Sequence, residues 1–258
     1  MDAYSPLKVK KSGVTKSIVA KFALATSDEQ DITLLNVYKG VPISYAATVI
    51  RVINDRLTVK VHKNQALCLN IEGQTYIQTL LFDRPIKAKV MSVNTAEQIA
   101  ILTDFTFADP SIGKRTSIRV GMEHEEHTSV TIISKNSDMR LLGRLNDISA
   151  TGIGIVVIAL QEVIIENFSR GAWVYLSLSL PVDEDDEYQE MTLPGMIKYV
   201  GSTQETHTLG IQISPDRETE RRIHNFIEQR HNEILEEVEQ YSSDYTNISG
   251  VGSWWYPL

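Results

Sequence analysis

In "RLTVKVH", residues 56–62, Leu57, Val59 and Val61 alternate with polar residues. Strand side chains point alternately to opposite faces, so this spacing buries one face and wets the other. Short runs of this kind recur from residue 43 to residue 214, each closed by turn residues. That pattern restricts most of the chain to antiparallel β-structure, because tight turns join only neighbouring, oppositely directed strands.

The runs form two series. "ISYAATVIRVI" ends at Asn54-Asp55, "RLTVKVH" follows, and "QTYIQTLLF" begins after Glu72-Gly73. "IKAKVMSVN" follows Pro85, and "QIAILTDFTF" ends at Asp109-Pro110. Five runs so close together predict a small barrel or sandwich. The second series comprises "TSVTIIS", "RLLGRLNDIS", "GIGIVVIA", "AWVYLSLSL", "MTLPGMIKYVG" and "HTLGIQIS", and predicts a six-strand barrel. The two series share no residue pattern, so no repeat is inferred.

Both ends of the chain depart from this period. Residues 1–30 show no clear periodicity and read as a lead-in, with a short helix near Ile18 to Leu24. From Asp216 the period becomes helical. Ile223, Phe226, Ile227, Ile234, Leu235 and Val238 fall along one stripe, and acidic residues occupy the first turn, where the helix dipole favours them. Residues 242–258 are Gly/Ser-rich and close on Trp254, Trp255 and Tyr256.

Charge and composition narrow the function classes. A formal net charge of -8 argues against a general nucleic-acid binder, which needs a broad basic surface. No run approaches the roughly 20 apolar residues of a membrane helix. Lys21 interrupts the apolar part of the mildly basic N-terminus, which therefore makes a poor signal peptide. The single cysteine, Cys68, cannot close a disulfide within the chain and reads as a small buried hydrophobe. A cytoplasmic protein is expected. No nucleophile elbow, P-loop or paired catalytic carboxylate can be placed, so an enzyme is not. "HEEH", His124 to His127, lacks HExxH spacing, and "DEDDE", 183–187, reads as a solvated hairpin loop; no metal site is expected.

One basic stretch stands out against this acidic background. "GKRTSIRV", Gly113 to Val120, carries Lys114, Arg115 and Arg119 between the two series. A solvated connector is the plain reading. An anion clamp is the functional one, because guanidinium forks match phosphate oxygens and the O6/N7 edge of guanine. Further on, "LNDISATGIG" puts Asp147 and Ser149 two apart on a predicted strand, facing one side, while Ile148 points inward. Gly152 allows either a positive φ or close approach to the backbone. A carboxylate at Asp147 can accept hydrogen bonds from the N1–H and N2–H₂ of guanine, although Asp-x-Ser followed by Thr-Gly is also common turn chemistry.

Arg115-xxx-Arg119 followed by Asp147-x-Ser149-x-x-Gly152, in a six-strand β context with a helix behind, resembles the PilZ domain. The match covers residues 112 to 240. The β-domain ahead of it resembles the split-barrel-like N-terminal domain of two-domain flagellar-brake proteins of the YcgR kind. The resemblance implies a mainly β fold of two small barrels plus a C-terminal amphipathic helix. Its divisions are a lead-in at 1–30, an N-terminal barrel at 31–108, a linker carrying the RxxxR arm at 109–119, a PilZ domain at 120–241 and a tail at 242–258. It also implies a receptor for cyclic di-GMP, with Lys114, Arg115 and Arg119 on the wrapping arm and Asp147, Ser149 and Gly152 holding a guanine. Lys114 stands where many relatives carry arginine; lysine keeps the charge but cannot stack or fork, which bears on whether a second nucleotide binds. Ligand is expected to reorient the barrels and signal to a motility or biofilm partner, the flagellar motor or exopolysaccharide machinery. A homodimer is left open. The rival reading is a PilZ-fold adaptor that ignores nucleotide.

Overall fold

A computed structural model describes residues 6–25, 31–109, 117–122, 128–137, 139–158, 168–181, 188–203 and 206–248. Contacts divide the chain into two units. One comprises Met1–Tyr38, Pro42–Arg115 and Leu235–Leu258; the other comprises Lys39–Val41 and Thr116–Ile234.

The first unit contains helix α1 (Pro6–Ala25), strands β1 (Asp31–Tyr38), β2 (Val41–Ile53) and β3 (Arg56–Lys60), helix α2 (Lys63–Glu72), and strands β4 (Gln74–Gln78), β5 (Ile86–Asn94) and β6 (Ile99–Phe107). The strands close a barrel in the order β1-β2-β3-β6-β5-β4. Its core holds Ile32, Leu34, Leu57, Val59, Ile77, Ile86 and Leu102. Asn54, at the predicted turn, adopts a left-handed φ of 55° between β2 and β3, a conformation asparagine tolerates better than most residues.

Two helices and a strand here differ from expectation. The lead-in is a 20-residue helix rather than a short one. It buries Ile18, Val19 and Phe22 in the barrel core, and the Thr15 hydroxyl donates to the Phe105 carbonyl at 3.0 Å. With Val14 packed beside them, these apolar contacts amid frequent lysines still make too narrow a stripe to read from sequence. The apolar run around Cys68 is helix α2. His62 Nδ1 accepts from the Asn64 amide at its start, and Gly73, in the left-handed region at φ 63°, ends it. A short apolar run does not reveal its period when both faces are covered; Ala66, Leu67, Cys68 and Leu69 are all buried. Burial pushes the Cys68 thiol up to about 12. Strand β1 was also unanticipated.

The second unit contains β7 (Arg119–Gly121), β8 (Ser129–Ser134), β9 (Arg140–Ser149), β10 (Gly152–Ile158), β11 (Trp173–Pro181), β12 (Tyr188–Ser202) and β13 (Thr206–Ile213). The order β10-β13-β12-β11-β8-β9 closes through β9–β10 pairing, so six strands form a barrel and β7 adds to the edge of β9. Alternate residues fill it: Val130 and Ile132 from β8, Ile153 and Ile155 from β10, Val174, Leu176 and Leu178 from β11, all at most 2% exposed.

Helix α3 (Arg217–Ile248) follows. Asp216 caps it, its Oδ1 accepting from the Thr219 amide at 2.8 Å. That backbone hydrogen bond holds the Asp216 carboxyl below its ordinary value. Residues 217–234 belong to the second unit and 235–248 to the first. The predicted stripe is buried at Ile223, Phe226, Ile227, Ile234 and Val238, but Leu235 is exposed. In the first unit the Tyr38 hydroxyl donates to Glu237 Oε1 at 2.7 Å, and Asn64 Nδ2 donates to Glu239 Oε2 at 2.9 Å. Lys63 Nζ also pairs with Glu239, and Ser242 Oγ donates to Asn64 Oδ1 at 2.7 Å. Burial, then the Glu237 contact, raises the Tyr38 phenol above its ordinary value.

Candidate functional site

The site is built on three strands of the second unit. Strand β9 lies between β7 and β10, so each of its terminal residues has two cross-strand neighbours. Asp147 faces Gly121 on β7 and Gly154 on β10; Ser149 faces Arg119 and Gly152. The predicted spacing holds to this extent: Ile148 turns inward and is fully buried.

The glycine opposite Asp147 on β10 clears space for its carboxylate. A Cβ on Gly154 would lie 2.5 Å from Asp147 Oδ2 and 2.8 Å from its Cγ, closer than atoms can pack. The carboxylate therefore lies over Gly154, and both its oxygens are held. Arg119 Nη1 donates to Oδ1 at 2.9 Å, and Asn146 Nδ2 donates to Oδ2 at 3.0 Å. The Arg119 and Asp147 side chains retain 37% and 24% of their exposure, so the pair remains open to a ligand from solvent. A part-exposed pair contributes about 0–1 kcal/mol to stability; its consequence here is alignment.

Ser149 is fully buried, and its hydroxyl donates to the Gly152 carbonyl at 3.1 Å across the β9–β10 turn. Gly152 does not use a positive φ; the left-handed glycines among the described residues are Gly40, Gly73 and Gly171. Close approach explains it instead. A Cβ at Gly152 would meet the Ile211 carbonyl oxygen at 3.3 Å and Arg119 Nη2 at 3.7 Å. One face of the guanidinium thus lies near bare backbone.

Arg119, Asp147, Ser149 and Gly152 are accordingly brought together. Arg119 is a β-strand residue at the head of β7 rather than part of a connector. Lys114 and Arg115 lie outside the described residues, as do His124–His127, residues 183–187 and the Trp254-Trp255 pair. Sequence reasoning missed Asn146, Gly121 and Gly154. The "GIG" at 152–154 was the available signal for the last, since a second glycine on one strand face marks another close approach.

The arrangement can accept hydrogen bonds on a carboxylate and donate them from a guanidinium within one opening. Each carboxylate oxygen has further lone-pair capacity after one internal bond. Among the described residues no group of three or more His, Cys, Asp or Glu is placed to hold a metal ion. No helix of those residues is long and apolar enough to cross a membrane.

No protein of curated function matches the sequence. Similar solved structures include the K. pneumonia MrkH–c-di-GMP complex, 15% identical, covering 88% of this chain and 96% of that one, with a TM-score of 0.43. Another is the Bacillus subtilis inhibitor of motility MotI/DgrA, 12% identical, covering 80% and 97%, with a TM-score of 0.39. YcgR from Escherichia coli in complex with c-di-GMP is 13% identical, covering 88% and 93%, with a TM-score of 0.38. The family described as PilZ domain matches residues 113–229, a span that holds Arg115, Arg119 and the whole Asp147-to-Gly152 turn. The chain carries a PilZ domain over residues 113–229.

Proposed function

We propose that this protein is a non-enzymatic receptor for cyclic di-GMP, read through its PilZ domain. The observation that carries the reading is the alignment of Arg119 with Asp147 over Gly154, with the second Arg119 nitrogen beside Gly152. Such a carboxylate accepts from the N1–H and N2–H₂ of a guanine. Arginine forks match both phosphate oxygens and the guanine O6/N7 edge. Lys114 and Arg115, just ahead on the chain, supply further cations for a dianion.

In this reading the arm ahead of Arg119 closes over the ligand, and closure changes the relative orientation of residues 30–108 and 115–240. A ligand shifts such an equilibrium only by its differential affinity for the two states, and a clamp formed only with ligand supplies that difference. The output is contact with a partner controlling motility or biofilm formation, in the cytoplasm.

One observation favours the adaptor alternative, in which nucleotide is ignored: Arg119 and Asp147 already satisfy each other without ligand. Calorimetric titration of the full chain with cyclic di-GMP, and with cyclic di-AMP as control, separates the two. Saturable binding of the guanine ligand alone is the expected result. Absence of heat with both would leave the adaptor.

A further inference from the structure

Strand β7 has only three residues, yet it aims the Arg119 side chain. Its pairing with β9 covers one edge. On the other side stands the turn between β1 and β2, whose residues Lys39–Val41 belong to the second unit. The Gly121 amide donates to the Lys39 carbonyl at 2.7 Å. Backbone meets backbone here without side chains between. A Cβ on Gly40 would lie 2.7 Å from the Arg119 carbonyl oxygen and 3.2 Å from the Gly121 nitrogen. A Cβ on Gly121 would lie 3.0 Å from the Lys39 carbonyl oxygen. Lys39 and Gly40 are both left-handed, at φ 47° and 83°. Two such residues in succession suit the tightest hairpin turns, and a lysine adopts this conformation only where its surroundings enforce it.

We propose that the Lys39-Gly40 turn is a positioning element of the nucleotide site: its backbone holds β7, and through it the Arg119 guanidinium, in line with Asp147. The proposal rests on the receptor reading above for its ligand. It adds residues that lie some eighty positions ahead of Arg119 in sequence and outside the PilZ match at 113–229. A three-residue edge strand has few ladder bonds of its own and belongs to the easily opened part of a fold. A second neighbour on its free side is what fixes it.

The test uses the full chain and two variants. Gly40→Ala puts a methyl into the Arg119 carbonyl. Gly171→Ala, also in the second unit, imposes comparable backbone strain at φ 93° but meets no atom within 4 Å, so it controls for strain alone. Each is titrated with cyclic di-GMP, and amide hydrogen exchange at Gly121 is followed without ligand. We expect Gly40→Ala to lose Gly121 protection and to bind roughly tenfold or more weakly, the worth of one charge-assisted contact. Gly171→Ala should bind as the wild type does. Wild-type binding and intact Gly121 protection in Gly40→Ala overturn the proposal. Equal losses in Gly40→Ala and Gly171→Ala also overturn it, by assigning the effect to strain. A wild-type chain that fails to bind sinks the receptor reading instead, and Gly121 exchange still decides whether the turn holds β7.

Discussion

Asp147 sits between two glycines, and that is where single substitutions separate binding from folding. Its carboxylate is part-exposed, so Asp147→Ala leaves the barrel core of Ile148, Ile153 and Ile155 intact. Cyclic di-GMP affinity should fall, and discrimination against cyclic di-AMP should shrink, because adenine lacks the N1–H and N2–H₂ donors. Competition titrations with both nucleotides check this; weaker binding with unchanged discrimination would make Asp147 structural. Arg119→Ala should cost about 1.5–3 kcal/mol of binding, the scale of a hydrogen bond to a charged group. It should leave the melting temperature nearly unchanged, since half-exposed pairs contribute little to stability. Gly154→Ala tests the geometry from the opposite side. Its methyl would fall 2.5 Å from Asp147 Oδ2, so the carboxylate must move and affinity should drop although no polar group is lost. Wild-type affinity in Gly154→Ala would show that the carboxylate's place over β10 is immaterial.

Helices α1 and α3 make predictions of a different kind, about what each element packs against. Phe22 is 1% exposed and lies in the first barrel's core. Phe22→Ala should destabilise that unit by about 3–5 kcal/mol, the usual cost of removing a buried aromatic. Urea unfolding measures it, and a loss below about 1 kcal/mol would show that Phe22 does not anchor α1 in the barrel core. At the other end, the hydrogen bond from Lys63 and then that from Asn64 hold the Glu239 carboxyl below its ordinary value. A carboxyl whose folded value is depressed adds stability above its unfolded value and loses it as pH falls through the folded one. The thermal-stability difference between wild type and Glu239→Gln should therefore be present near neutral pH. It should fade once pH drops below the ordinary carboxylate range. A difference that persists unchanged at low pH would locate the effect in packing rather than charge.

The proposed receptor function has a consequence for the two units together, because in that reading closure of the arm ahead of Arg119 changes their relative orientation. Small-angle scattering of the full chain with saturating cyclic di-GMP should differ from that of the free chain. A distance label on each barrel should report the same change. If titration confirms binding while scattering and label distances stay fixed, the arm is only a binding element and the signal must leave by the surface of the bound nucleotide.

Much of this architecture follows from period alone. "RLTVKVH" and "GIGIVVIA" announce strands because one-sided or complete burial selects apolar residues at every second or every position. The Ile223-to-Val238 stripe announces α3 in the same way. The resemblance to the PilZ domain singles out Arg119, Asp147, Ser149 and Gly152; strand alternation by itself says only that Asp147 and Ser149 share a face. Other features are set by neighbours distant in sequence. Helix α2 reads ambiguously because it is covered on several sides, and Leu235 breaks the α3 stripe by facing solvent. Gly152 is glycine because the Ile211 carbonyl passes beside it, not because of its own φ. Gly154 is glycine because the Asp147 carboxylate lies over it and Gly121 because the Lys39 carbonyl passes beside it, and strand order across a barrel is written in no local pattern. The contact of Gly40 with Arg119 spans 79 positions; a turn residue shows locally that it must bend, but what it bends against is fixed only when the chain has closed on itself.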